Sequence, residues 1–414
     1  MEKTTNPLRV LRHRNFQLLW VGSVVSSLGT AIGGVVLTWV VFTSYHSPID
    51  VALLGIVGFL PSVVFGLLAG AVVDRVDRRL LMVGCDVARL LTLAGLAAYT
   101  LVFGINLVAL LGAALIVATF STVFRPATNA AIPRLVPETD FTDSNGLLMA
   151  GTTVAGFVGS PLGGILVITV GVVGGLLTNA VTFGFSGALI SLMVIPALAA
   201  KEVESGGRRP SLLSEVQEGM RFLRYQKPLL WITLSGMVAN FFLSLFFAFV
   251  VIYASIQLHQ NAAGFGVLLA AGAAGWTIGA IVPGRIGTEK APALWYAGVW
   301  TAAGVVIVAI GLVQDLPSAS LLSLAFGILG GIGNTTFFAA VQRQVPPHLL
   351  GRFFATDEAG SFAMIPAGQV VGGLLILSIG IGPTYVFAGV GAFVCSGILL
   401  LIPSVRSWGR SAGH

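Results

Sequence analysis

Gly70-Ala71-Val72-Val73-Asp74-Arg75-Val76-Asp77-Arg78-Arg79 closes one apolar run of helical length and opens the next, which begins Leu80-Leu81-Met82-Val83. About 20 apolar residues suffice to cross a hydrocarbon core of roughly 30 Å, and the runs on both sides of this turn reach that length. A very short turn that carries three arginines between two such spans faces the cytoplasm. Runs of the same kind fill the chain on either side. They fall near 16–42, 50–73, 80–103, 106–131, 142–170, 172–198, 228–257, 263–286, 291–312, 318–341, 353–378 and 382–403. Only 9% of the 414 residues are charged, against about 25% in a soluble domain. The fold class is therefore an all-α integral membrane protein of twelve transmembrane helices.

The net charge of +6 invites a nucleic-acid reading, and its distribution removes it. Of the 22 Lys and Arg, all except Arg89 and Arg125 fall in the two tails, the even-numbered turns or the central loop. The odd-numbered turns carry only Asp50 and Asp315 as charges. This asymmetry places both termini in the cytoplasm, with the chain a multi-pass protein of the plasma (inner) membrane. Cys85 and Cys395 lie inside predicted spans and read as small buried hydrophobes. No metal-ligand spacing, nucleophile elbow or phosphate loop is present, so no catalytic residue, metal or cofactor is assigned and an enzyme is not expected.

The chain repeats itself. Leu18-Leu19-Trp20 returns as Leu229-Leu230-Trp231 at an offset of 211, and Gly70-Ala71-x-Val73 as Gly279-Ala280-x-Val282 at 209. Val136-Pro137 matches Val345-Pro346, and Gly159-x-x-x-Gly163-Gly164 matches Gly368-x-x-x-Gly372-Gly373, both again at 209. A near-constant offset at four places implies two six-helix bundles related by a pseudo-two-fold axis along the membrane normal, with a site near the midplane. The bundles are 1–198 and 228–414. Between them, 199–227 is a polar linker in which Ser214 and Gln217 form a capping box. There Leu213, Val216, Met220 and Leu223 share the apolar face of a helix lying on the membrane surface.

The turn pattern G-x-x-x-D-R-x-D-R-R resembles the loop between the second and third spans of the major facilitator superfamily. It lies nearest the branch of drug:proton antiporters that holds macrolide-efflux and enterobactin-exporter proteins. That resemblance implies a cytoplasmic latch made by Gly70, Asp74, Arg75, Arg78 and Arg79. Asp357 and Glu358, early in span 11, would receive Arg75 or Arg78 when the cytoplasmic side closes. Two plainer readings stand beside it: the loop as a topology anchor, and the two acids as favourable charges near a helix N-terminus. The stretch Gly156-Phe157-Val158-Gly159-Ser160-Pro161-Leu162-Gly163-Gly164 resembles the antiporter-associated motif of the family's fifth helix. By itself it reads as close helix packing, with Pro161 bending the helix. The branch commonly has an acid where this chain has Thr30, so span 1 holds no charge.

Three charges lie within spans: Asp86 and Arg89 one turn apart on span 3, and Arg125 on span 4. A charge in hydrocarbon costs about 2.5–3.5 kcal/mol on the mildest scale, so such groups pair or meet water. Asp86 therefore ties to Arg89 or to Arg125, either as a static pair or as one that switches during a cycle. Asn240, Phe242, Phe246, Phe249 and Tyr253 are spaced for one face of span 7. They suit either a cavity for bulky amphipathic ligands or a lipid-facing stripe. Thr30 and Asn334, the repeat partner of Arg125, complete the cavity candidates.

Together these features predict a monomeric secondary transporter. It would export a bulky amphipathic solute, drug-like or siderophore-like, by alternating access with a proton as the coupling ion. Arg125 near the cavity would suit an anionic or zwitterionic solute. A sugar or lysolipid carrier on the same scaffold, or a non-transporting receptor or assembly protein, are the competing expectations. The partners are thus the solute, the proton and the bilayer, with no nucleic acid.

Overall fold

The computed structural model describes residues 7–194, 221, 223–288 and 291–408. Twelve helices of membrane-crossing scale succeed one another among them. The first six are α1 (Arg14–Tyr45), α2 (Pro48–Arg75), α3 (Arg78–Phe103), α4 (Leu107–Leu135), α5 (Phe141–Thr169) and α6 (Gly171–Ser191). The second six are α7 (Lys227–Phe247), α8 (Ala262–Ile281), α9 (Pro292–Leu312), α10 (Leu316–Gln344), α11 (Pro347–Ile379) and α12 (Ile381–Leu399). Eleven contain a window apolar enough to cross a membrane, and α11 has its apolar stretch in Ala363–Ile379. No strand occurs among the described residues.

The turns follow from local chemistry. Asp77 caps α3, its carboxylate accepting from the backbone N–H of Arg79 at 2.9 Å and of Leu80 at 3.1 Å. Asn106 caps α4 through Ala109 N–H, and Asp315 caps α10 through Ser318 N–H. These short polar side chains satisfy donors that a helix start leaves bare. Gly104 ends α3 at φ +80° and Gly380 ends α11 at φ +84°, backbone conformations that residues with a side chain rarely adopt. α6 stops at Ser191, short of the expected residue 198, and α12 at Leu399 rather than 403. Pro403 stands just beyond the end of α12, where a ring without an N–H breaks the ladder.

α7 does not end cleanly. A short helical turn, Val250–Ile252, leads into a π-turn at Tyr253–Gln257. Gln257 then donates to the carbonyls of Gly311 at 2.8 Å and Val313 at 3.0 Å, and Tyr253 to that of Val313 at 3.2 Å.

The chain divides into two compact units. The first holds α1, α3–α6 and most of α2; the second holds α7–α12 together with residues 47–56, the first turns of α2. In the first, α1 packs on α5 and α6, and α3 on α6 and α4. In the second, α7 packs on α11 and α12, and α9 on α12 and α10. Each pair recurs six helices later, so the internal repeat of the sequence is also a repeat of packing.

Small residues make these contacts close. Gly159 and Gly163 of α5 lie against the backbone carbonyls of Leu28 and Ile32 on α1. Their repeat partners Gly368 and Gly372 of α11 lie against Phe241, Ser244, Leu245 and Phe249 of the α7 segment. Gly164 is buried as well, while Gly156 faces open space. Pro161 sits inside α5. The linker's capping box and apolar face lie outside the described residues, except Leu223. That side chain is buried in a cluster with Leu229, Val341, Val345 and Phe353 of the second unit.

Candidate functional site

The charged turn between α2 and α3 is tied into the first unit. Arg78 donates Nη1 to the carbonyl of Ala130 near the end of α4 at 3.1 Å. Arg79 donates Nη1 to Met193 O just past the end of α6 at 2.8 Å. Cations at helix C-termini are favoured by the carbonyls left bare there. Asn15 exchanges two hydrogen bonds with Val194 at the same end, so the start of α1 is fastened there too. The backbones of Gly70, Asp74 and Arg75 close α2. The side chains of Asp74, Arg75 and Glu358 lie outside the described residues. Asp357 of α11 is half-buried, close enough to Tyr296 of α9 to act on it electrostatically.

Inside the first unit the three intramembrane charges separate into a pair and a single group. Arg89 Nη2 bonds Asp86 Oδ1 one turn away on α3, and both residues are buried. The guanidinium lies between two rings, 4.5 Å from the centroid of Phe124 on α4 and 4.2 Å from that of Phe183 on α6. Cation–π contact of this kind compensates part of the lost hydration. Ser121 Oγ of α4 is 3.5 Å from Arg89 Nη1. On α6, Gly187 lets Asp86 approach closely and Ser186 faces the carboxylate. Asp86 Oδ2 and Ser186 Oγ nonetheless find no hydrogen-bond partner among the described residues. Of the two ties expected for Asp86, the one to Arg89 is formed and the one to Arg125 is not.

Arg125 is exposed, and among the described residues no hydrogen bond or ion pair engages it. It stands in a polar stripe on α4 with Thr122 and Asn129, spaced i, i+3 and i+7. Thr122 Oγ1 lies 3.2 Å from Ser62 Oγ of α2. The opposite side of α4, with Phe124, Ala127, Thr128, Ala131 and Ile132, is buried. Pro126 and Pro133 lie inside the helix and lack an N–H, so the carbonyls of Thr122 and Asn129 lose their usual donor.

The aromatic stripe of span 7 is corrected by its packing. Phe246, Phe249 and Tyr253 are buried within the second unit. Phe246 stacks at 5.0 Å on Phe326 of α10 and on Tyr385 of α12, and Tyr253 lies 5.2 Å from Tyr385. In this structure those three side chains are interior packing, neither an open cavity wall nor a lipid face. Phe242 remains half-buried against Phe387 and Gly391 of α12. Asn240 donates to Gly236 O, and exposed Thr30 to Ser26 O, each on its own helix. Asn334 is half-buried.

Three interior groups were not anticipated from sequence: Phe124, Phe183 and Asn179. Asn179 of α6 is buried against Gly29 and Gly33 of α1, filling the space their missing side chains leave. A lone amide in an apolar run was the available signal. A concavity of about 540 Å³ beside the π-turn is lined by Ile256, Gln257, His259, Gln314 and Pro383 among others. The Gln257 amide there is already spent on backbone carbonyls.

Two repeated helical bundles with charges embedded in the spans form a multi-pass membrane protein. The profile of the transmembrane secretion effector family matches residues 5–412, and the chain belongs to that family of the major facilitator superfamily. It is 25% identical over 391 residues to macrolide efflux protein A of Streptococcus pyogenes, covering 90% of this chain and 92% of that protein. It is 24% identical over 401 residues to the multidrug efflux pump Tap of Mycolicibacterium fortuitum, covering 94% and 96%. A crystal structure of a variant of the nucleoside transporter NupG superposes with a TM-score of 0.73 at 12% identity, over 93% of this chain and 99% of that one. That likeness bears on the fold alone.

Proposed function

We propose that this chain exports a bulky amphipathic organic solute across the plasma (inner) membrane by alternating access, in exchange for protons. It acts as a monomer with both termini cytoplasmic, and the halves 1–198 and 228–414 are the bodies that alternate. The observation that carries the reading is the polar stripe of α4, in a chain aligned nearly end to end with efflux proteins. A helix that only packs or meets lipid has no use for an exposed Arg and Asn beside a half-buried Thr in an apolar span, whereas a solute path does. In this reading Asp74 and Arg75 serve the latch with Asp357 and Glu358, and the proton is carried by Asp86 or by those two α11 acids. Asp86 supports the role because one of its oxygens is buried without a partner.

The test uses purified chain in proteoliposomes with a panel of fluorescent amphipathic dyes and an imposed pH gradient. Dye movement driven by the gradient and collapsed by a protonophore is expected. Movement no faster than in protein-free vesicles, for every dye, overturns the exporter reading.

A further inference from the structure

Resting on that reading, we infer that the transported solute carries an acidic group and that Arg125 is the residue that selects for it. Arg125 lies ten residues before the end of α4 at Leu135, which at 1.5 Å per residue is roughly 15 Å in from the helix end. α4, at 29 residues roughly 43 Å long, overhangs a hydrocarbon core of roughly 30 Å, which leaves Arg125 about 9 Å inside the apolar run that ends at Ala131. A cation held there without a partner is costly, and the cost is met when an anion arrives. In the first unit the acid set deep in a span is Asp86, and Arg89 already occupies it. Among the described residues of that unit no acid is paired with Arg125. Thr30 on α1, exposed, supplies a hydroxyl and no negative charge that would draw a cationic solute.

The surroundings favour a solute over a lipid headgroup as the source of the anion. At about 100° per residue, Arg125 is rotated roughly 80–100° from the exposed apolar residues Leu115 and Val108 and about 180° from Ile116 of the same helix, with Asn129 and Thr122 at the border between them. Lipid tails meet the apolar arc. The polar arc also carries two carbonyls deprived of their donors by Pro126 and Pro133, which need hydration or a ligand. The Thr122–Ser62 hydroxyl pair adds neutral donors and acceptors beside the guanidinium. An arginine fork flanked by hydroxyls and an amide is the chemistry that recognises a carboxylate on an amphipathic body.

Two xanthene dyes of similar size and opposite charge test this: fluorescein, an anion, and rhodamine 6G, a cation. Binding and proteoliposome transport are measured on the full chain, as wild type and as Arg125→Lys, Arg125→Gln and Arg125→Glu. Wild type should bind fluorescein at least about tenfold tighter than rhodamine 6G, the scale of one charge-assisted hydrogen bond. Arg125→Gln should abolish that preference by weakening fluorescein alone, Arg125→Glu should reverse it, and Arg125→Lys should keep most of it. Thermal melts establish that each variant is folded; should Arg125→Gln fail to fold, the wild-type and Arg125→Lys preferences decide.

Wild type handling rhodamine 6G but not fluorescein overturns the inference and leaves the exporter standing. Binding of neither dye overturns both. Equal losses for both dyes in Arg125→Gln assign the residue to the transport cycle and sink the inference. Unchanged dye selectivity, with a phosphatidylglycerol-dependent rise in melting temperature lost in Arg125→Gln, assigns it to lipid phosphate instead.

Discussion

Arg89 bonds Asp86 one turn away on α3 while its guanidinium is held between the rings of Phe124 and Phe183. The pair therefore fastens three helices, α3, α4 and α6, through one cation. Breaking a buried ion pair from one side leaves an uncompensated charge, at a cost of about 3–5 kcal/mol. Asp86→Asn and Arg89→Gln should each lower stability on that scale. Asp86→Asn combined with Arg89→Gln, which removes both charges, should recover much of it. Thermal unfolding of the four proteins in detergent measures the coupling. Single variants within about 0.5 kcal/mol of wild type would show that the pair is not structural.

The glycines of α5 differ in what a side chain would meet. Gly163 abuts the Ile32 backbone on α1, and Gly33 of α1 abuts Asn179 of α6, whereas Gly156 faces open space. Gly163→Leu should abolish folding or cost more than the roughly 1–3 kcal/mol of ordinary overpacking, since the Ile32 backbone cannot yield as a side chain does, whereas Gly33→Leu presses on the Asn179 side chain and should cost about 1–3 kcal/mol. Gly156→Leu should express and melt like wild type. Three yields and three melting temperatures decide the matter, and equal tolerance at all three positions would contradict the packing.

Phe246 sits among Phe326, Tyr385 and Phe247 and is buried, so Phe246→Ala should cost about 3–5 kcal/mol. Its transport selectivity, measured on whatever protein survives, should match wild type. Phe242 is only half-buried, and Phe242→Ala should cost less. A Phe246→Ala protein of normal stability and altered selectivity would return that ring to the solute path.

How far these features were legible in sequence depends on whether they repeat. Membrane spans announce themselves by length and hydropathy, and the repeats at offsets of 209 and 211 showed the twofold plan, because both signals recur along the chain. The partner of Asp86 was narrowed to Arg89 or Arg125, since spacing on α3 and depth on α4 fit equally; only packing separates them. The stripe on α7 was legible as a stripe but not as an interior one. Helical periodicity gives a face and does not say what covers it, and here Phe326 and Tyr385, on helices far away in sequence, do so. Phe124 and Phe183 were invisible for the same reason. An aromatic in an apolar run carries no mark of the cation it will meet.

The two aspartates of the turn, Asp74 and Asp77, should respond differently to substitution. Asp77 acts locally, since its carboxylate accepts from Arg79 N–H and Leu80 N–H and starts α3. Asn serves nearly as well as Asp at such a position, while Ala costs about 0.5–2 kcal/mol. Asp77→Asn should therefore insert, fold and transport much as wild type, and Asp77→Ala should lose stability before it loses rate. Asp74 ends α2, where a negative charge is disfavoured by the bare carbonyls and basic residues alone would suffice to anchor topology. An acid placed there against that local preference should serve something other than the helix. Asp74→Asn should melt at or above the wild-type temperature and still lose most of its transport. Dye flux in proteoliposomes, set beside melting temperature for the three variants, reads the difference directly. Wild-type flux in Asp74→Asn would reduce the turn to an anchor, and a fall in flux that tracks stability alike in all three variants would do the same.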